Sequence, residues 1–166
     1  MNERFYGKYR GVVTDNQDTE DLGRIRARVP DVLGDRESGW AYPCAPFGGN
    51  GLGFFSVPDQ GAFVWIEFEQ GDTARPIWSG CWWGTKDQRP DLLMSAAPDK
   101  LLIKTKAGHS ILLDDSQGSG GISLETADGQ KIVINSQTIE IDNGNGATLK
   151  LTNNQVSIND GALEVT

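Results

Sequence analysis

From Lys100 to Thr166 the apolar residues come in alternating pairs, separated by short polar breaks. The pairs are Ile132/Ile134, Ile139/Ile141, Leu149/Leu151, Val156/Ile158 and Leu163/Val165, at intervals of 7, 10, 7 and 7 residues. Two-residue periodicity predicts β-strands with one apolar face. The breaks, such as Asp142-Asn143-Gly144-Asn145-Gly146 and Asn159-Asp160-Gly161, predict turns. Strands this short bury too little to stand alone as hairpins. A single-chain β-helix needs repeats of roughly 20 residues or more to travel round its core. Two readings remain for this third of the chain. In one, three copies close an intertwined β-prism in which every strand hydrogen-bonds to another chain. In the other, the segment is an ordinary antiparallel meander.

The first 85 residues alternate less regularly. Gly11-Val12-Val13-Thr14-Asp15 predicts a strand running into a polar turn. Leu22 to Pro30 alternates, with Ile25, Ala27 and Val29 on one face and Arg24, Arg26 and Arg28 on the other. That basic row reads as a solvated strand face or a subunit contact. Asp31 to Gly39 reads as a polar loop, and Trp40 to Phe47 as extended because its prolines bar a helix. Gly48 to Gly53 is a glycine-rich loop without the Lys-Ser/Thr ending of a phosphate cradle. Phe54 to Pro58 predicts a short strand, Ala62 to Glu69 the strongest strand, and Pro76 to Gly84 a last one. Five or so short strands without a convincing helix predict a small closed barrel of the OB type. The domain reading is a barrel over residues 1–85, a linker over 86–99 that includes Pro90 and Pro98, and a needle over 100–166.

Composition narrows the function. The net charge is −8, and both parts of the chain are acidic, which argues against a polyanion partner. Met1-Asn2-Glu3-Arg4 leads into Phe5-Tyr6-Gly7 without an apolar segment, so assembly in the cytoplasm without a signal peptide is expected. Cys44 and Cys81 form no metal pattern, and with His109 the only histidine a zinc site is not expected. Asp114-Asp115 is the one adjacent acidic pair in the C-terminal third; successive strand residues point to opposite faces, so it reads as a strand end and not as a glycosidase pair. Trp40, Trp65, Trp78, Trp82 and Trp83 offer stacking surfaces, but aromatics in a small barrel serve core and interface more often than bases.

The order of motifs resembles the phage baseplate assembly protein V family, the central spikes of contractile tails, and is similar to the spike domains of VgrG proteins. The residues that carry the resemblance run from Tyr6-Gly7-Lys8-Tyr9-Arg10-Gly11 through Leu22 to Pro30, Trp40-Ala41-Tyr42-Pro43 and Gly48 to Gly53. They continue with Val57 to Gly61, Val64 to Asp72, Pro76 to Gly80 and Lys104 to Asp115. The resemblance implies an all-β chain: an N-terminal OB-fold collar followed by a C-terminal β-helical or β-prism needle, assembled as a homotrimer. It implies a structural role, with no enzyme activity and no cofactor, beneath a separate hub protein and in transient contact with a target envelope. It places hub docking at Phe5, Tyr6, Tyr9 and Arg10. The open strand pattern at Leu163, Glu164, Val165 and Thr166 is the expected seat of a separate tip protein, like the PAAR-repeat cones of related systems. The alternatives are an OB-fold binder of carbohydrate or oligonucleotide and a β-helical polysaccharide-degrading enzyme.

Overall fold

The computed structural model describes residues 3–93, 98–118 and 120–165. Contacts divide the chain into two units, Met1–Thr85 and Lys86–Thr166.

The first unit contains strands β1 (Tyr9–Asp15), β2 (Arg26–Arg28), β3 (Tyr42–Pro43), β4 (Gly48–Gly49), β5 (Leu52–Gly53), β6 (Phe63–Phe68) and β7 (Pro76–Cys81), the helical turn α1 (Pro30–Leu33), and a 3-10 turn at Glu69–Gly71. Five strands form one sheet in the order β2-β1-β6-β7-β3, antiparallel except for the parallel pair β3–β7. A bridge between Ile25 and Ala41 then joins the flanks of β2 and β3, the two ends of that order, and closes the sheet on itself. A closed sheet hides its edges and wraps its inward residues into one core. That core is Val13, Ile25, Ala27, Val29, Ala41, Val64, Ile66 and Phe68, with Phe5, Tyr9 and Trp78 packed against it.

Three local expectations change here. Pro30 does not simply end a strand; it stands at the start of α1, where its missing N–H costs nothing. Four residues are too few to show a helical period, so the turn lay hidden in the loop expected from Asp31 to Gly39. Phe54 to Pro58 is not a strand; the paired residues are β4 and β5, inside the glycine-rich loop. The arginine row also splits. Arg24 is buried, not solvated, and grips Asp18 at 2.6 Å, while Asp18 accepts the backbone N–H groups of Glu20, Leu22 and Arg24. Positive φ at Asp21 and Gly23 turns the chain so that Asp18 sits under Arg24, and no strand period records that.

The second unit holds β8 (Lys100–Lys104), β9 (Ser110–Asp114), β10 (Gly121–Glu125), β11 (Lys131–Asn135), β12 (Thr138–Asp142), β13 (Thr148–Thr152), β14 (Gln155–Ile158) and β15 (Leu163–Val165). They form one eight-stranded antiparallel sheet in strict sequence order. Before it, Lys86–Gln88 and Asp91–Leu93 make single 3-10 turns. Short side chains build the connections. Asn135 Oδ1 accepts the N–H groups of Gln137 and Thr138, and Asn143 Oδ1 accepts those of Asn145 and Ala147. Asn153, with φ of 53°, makes the two-residue turn into β14. At about 4.8 Å per strand the ribbon is roughly 34 Å long, and five-residue strands make it about 17 Å wide.

The hydrogen-bond ladders of β9 through β14 are filled on both sides by strands of the same chain. The expectation that each strand pairs with another chain is corrected by this. Connections of a few residues return the chain directly beside the strand it has just left, and local pairing wins.

Candidate assembly interface

The register lines the aliphatic residues into two columns. Leu101, Leu113, Ile122, Ile134, Ile139, Leu151 and Val156 lie opposite one another from strand to strand. Ile103, Ile111, Leu124, Ile132, Ile141, Leu149, Ile158 and Leu163 make the second column. Both columns share one face, because their positions differ by two along every strand.

Among the described residues of this unit, none covers that face. Its exposed members, from Leu101 to Leu163, retain 38 to 57 % of their accessible surface. The opposite face carries Leu112, Ser123, Val133, Glu140, Lys150 and Ser157, all half-buried. Three ion pairs tie its strands together directly across the register: Lys100 to Asp114 at 3.4 Å, Lys131 to Asp142 at 3.6 Å, and Lys150 to Glu140 at 3.9 Å. The usual order is inverted: the polar side is the better covered one, and the aliphatic side is open along the whole ribbon. Soluble single chains rarely leave a contiguous apolar patch beyond a few hundred Å². A face of this kind is half of an interface.

Two family comparisons match the chain, one for each unit. Residues 9–83 match the Type VI secretion system/phage-baseplate injector OB domain. Residues 100–164 match the phage baseplate V C-terminal trimerisation domain. The chain belongs to the phage baseplate V family. The closed five-stranded sheet is its OB domain, and the aliphatic ribbon is the element through which baseplate V chains trimerise. The chain is thus an all-β structural component of the baseplate spike of a phage or tail-like injector. A search of curated proteins returned no match.

The two readings left open for the C-terminal third hold at different levels. The C-terminal third of this chain folds as a meander, and it is the part that matches the family's trimerisation domain.

The other residues singled out from the sequence fall as follows. Leu163 is exposed in β15, which pairs with β14 through Val156–Val165, Ser157–Glu164 and Ile158–Leu163; Thr166 lies outside the described residues. Phe5 and Tyr9 pack edge to face at 6.3 Å against the OB core, and Tyr9 donates its hydroxyl to the Tyr6 carbonyl. Tyr6 is exposed, and Arg10 points outward over the Trp82 ring at 4.8 Å. Trp82 also stacks on Phe63 and donates its indole N–H to the Val64 carbonyl, while Trp78 donates to Gly23. Asp114 accepts the Ser116 N–H and pairs with Lys100; the Ser116 side chain first, then its backbone N–H and the lysine, hold the Asp114 carboxyl below the ordinary range. Its neighbour Asp115 donates its backbone N–H to Asp99. Among the described residues, no His, Cys, Asp and Glu side chains gather into a metal-binding group, and no helix is long and apolar enough to cross a membrane.

Proposed function

We propose that three copies of this chain form the central spike of a contractile injection apparatus, seated beneath the hub and tube and driven into the target envelope on contraction. The open aliphatic face of the C-terminal ribbon carries the reading. Three such ribbons, faces inward, bury their columns along a common axis and leave the charged faces with their cross-strand ion pairs in water. The result is stiff because the ladders of β9 through β14 are full within their own chain while the apolar side chains of each ribbon lean on those of the other two. Under axial load such a body fails by the height of its unfolding barrier, not by its equilibrium stability.

The spike has two ends to dock. Tyr6 and Arg10 have free surface for the hub, and Phe5 and Tyr9 hold them in place from the core side. Strand β15 is an edge strand among the described residues, with Leu163 exposed, and it suits a tip protein that adds backbone pairs and covers the apolar rim. Native mass measurement of the full chain, and of a form truncated after Asp99, tests the assembly. The full chain is expected as a trimer and the truncated form as a monomer; a monomeric full chain refutes the spike. Co-expression with a PAAR-like cone protein encoded beside it tests the tip. Absence of a complex that depends on Leu163 removes that part of the reading.

A further inference from the structure

The OB domain carries a second apolar surface that the ribbon does not explain. Strands β4 and β5 form a small hairpin, closed by Gly51 with φ of 72° and extended by the Phe54 N–H to the Phe47 carbonyl. It presents Phe47, Leu52, Phe54 and Phe55, each more than half exposed, with Phe55 at 73 % and Leu52 at 62 %. Against its base lies an apolar cavity of about 330 Å³, walled by Pro43, Cys44, Val57, Trp78 and Cys81 together with Phe55. A cavity of about 150 Å³ already accommodates a benzene ring.

The surrounding sequence has one further property. From Ser38 to Pro58 there is no Asp, Glu, Lys, Arg or His, although a stretch of that length at the chain's 23 % charged would hold about five. Partners brought together by chance do not require this. A patch buried between copies does, because a charge enclosed in an apolar contact without a partner is costly. A three-fold interface is also heterologous: one unit must offer two different, complementary patches side by side. An apolar finger beside an apolar hole is such a pair.

We infer that in the trimer the β4–β5 hairpin of one OB domain seats Leu52 in the cavity of the next, so that the three collars lock head to tail around the axis. The inference rests on the trimer held by the C-terminal ribbon. That tether places the three OB domains at effective concentrations on the order of millimolar, so the contact forms without strong intrinsic affinity.

The test uses the full chain with Asn50→Cys at the hairpin tip, which leaves Leu52 in place, and a short bifunctional thiol reagent. The native cavity thiols Cys44 and Cys81 are the acceptors. The expected result is covalent dimer and trimer on a fully denaturing gel. Those bands should disappear when Cys44→Ser and Cys81→Ser are combined, and fall at least fivefold when Leu52→Asp is added. Light scattering on the same samples reports the assembly. A trimer that yields no inter-copy bands overturns the collar contact alone. Bands that persist in the double serine background show hairpins meeting one another and overturn the finger-in-cavity arrangement. Leu52-dependent flotation of an uncrosslinked trimer with anionic phosphatidylglycerol vesicles assigns the hairpin to a membrane and overturns it too. A monomer removes the trimer itself, and the collar contact with it.

Discussion

Ile141 lies in the second aliphatic column at the middle of the ribbon, between Ile132 and Leu149. In the single chain it keeps 43 % of its surface exposed, which leaves roughly 75 Å² of apolar area to be covered, or about 2 kcal/mol per copy at 25 cal/mol per Å². Ile141→Ala removes most of that side chain and opens a void where the copies meet. Large-to-small changes in packed cores cost about 2–5 kcal/mol, and the substitution occurs three times, so the trimer loses about 6–15 kcal/mol in all. If the face were simply solvated, the same change would cost no more than about 1 kcal/mol per chain, the span of strand propensity.

Val133→Ala on the opposite face is the control. Val133 sits on the next strand, opposite Glu140, and loses a similar kind of group from the outward side. Guanidinium unfolding followed by light scattering and far-UV circular dichroism, at fixed protein concentration, separates the two, because dissociative unfolding depends on concentration. Ile141→Ala is expected to lower the midpoint far more than Val133→Ala, and Ile141→Asp to abolish the trimer. Equal shifts for the two alanine variants, with concentration-independent midpoints, would refute the inward-facing assignment of the columns.

In the OB domain, the Arg24 guanidinium, backed by three backbone N–H groups, holds the Asp18 carboxyl far below the ordinary carboxylate range. A group depressed on folding contributes stability that is complete above its unfolded value of about 4 and is lost as pH falls through the folded one. The OB transition should therefore weaken in acid, and Asp18→Asn should lower its midpoint at neutral pH and flatten its acid limb in a pH-resolved melt. Gly71 has φ of 74°, and a Cβ there would meet the Phe5 backbone nitrogen at 2.9 Å. Gly71→Ala should cost about 1–3 kcal/mol, read as a lower melting temperature of the OB domain with the trimer mass unchanged. Lys131→Glu sets like charge against Asp142 on the outward face. It should cost no more than about 1 kcal/mol, shrinking as salt is added, because the half-buried pair is still reached by water.

The C-terminal unit was legible in the sequence almost residue by residue, because two-residue alternation and Asx-rich turns are local signals. The inner face needed only the period. What the period did not contain was the partner of each strand: it distinguishes faces, not whether a neighbour comes from the same chain. The OB domain was less legible. Its core strand Phe63–Phe68 and the inward set Ile25, Ala27 and Val29 follow alternation, but barrel closure rests on a single bridge between Ile25 and Ala41. The Asp18–Arg24 pair depends on a loop that folds back, and in a linear reading its arginine looked identical to Arg26 and Arg28. The β4–β5 hairpin had a visible signal in its missing charges. Glycine content masked it as a plain loop.

The two ways of being unfinished have different consequences for assembly. In hydrogen bonding the ribbon is complete as a single chain apart from its edges, because each hairpin closes over a few residues and pays little loop entropy. In apolar burial it is incomplete along its whole length. Folding can therefore proceed by local pairing, with association following from a preformed face, and chains need not thread through one another. A fully interchain ladder would demand three chains in register before the first stable strand. The in-chain ladder moves the concentration-dependent step to the end and makes it a face-to-face collapse, in which the columns set the alignment. A one-strand slip between copies displaces every pair of columns by about 4.8 Å and leaves an aliphatic strand uncovered at each end. In the proposed trimer the alignment of the copies is thus set by covering the columns out to their end strands, not by backbone hydrogen bonds between chains.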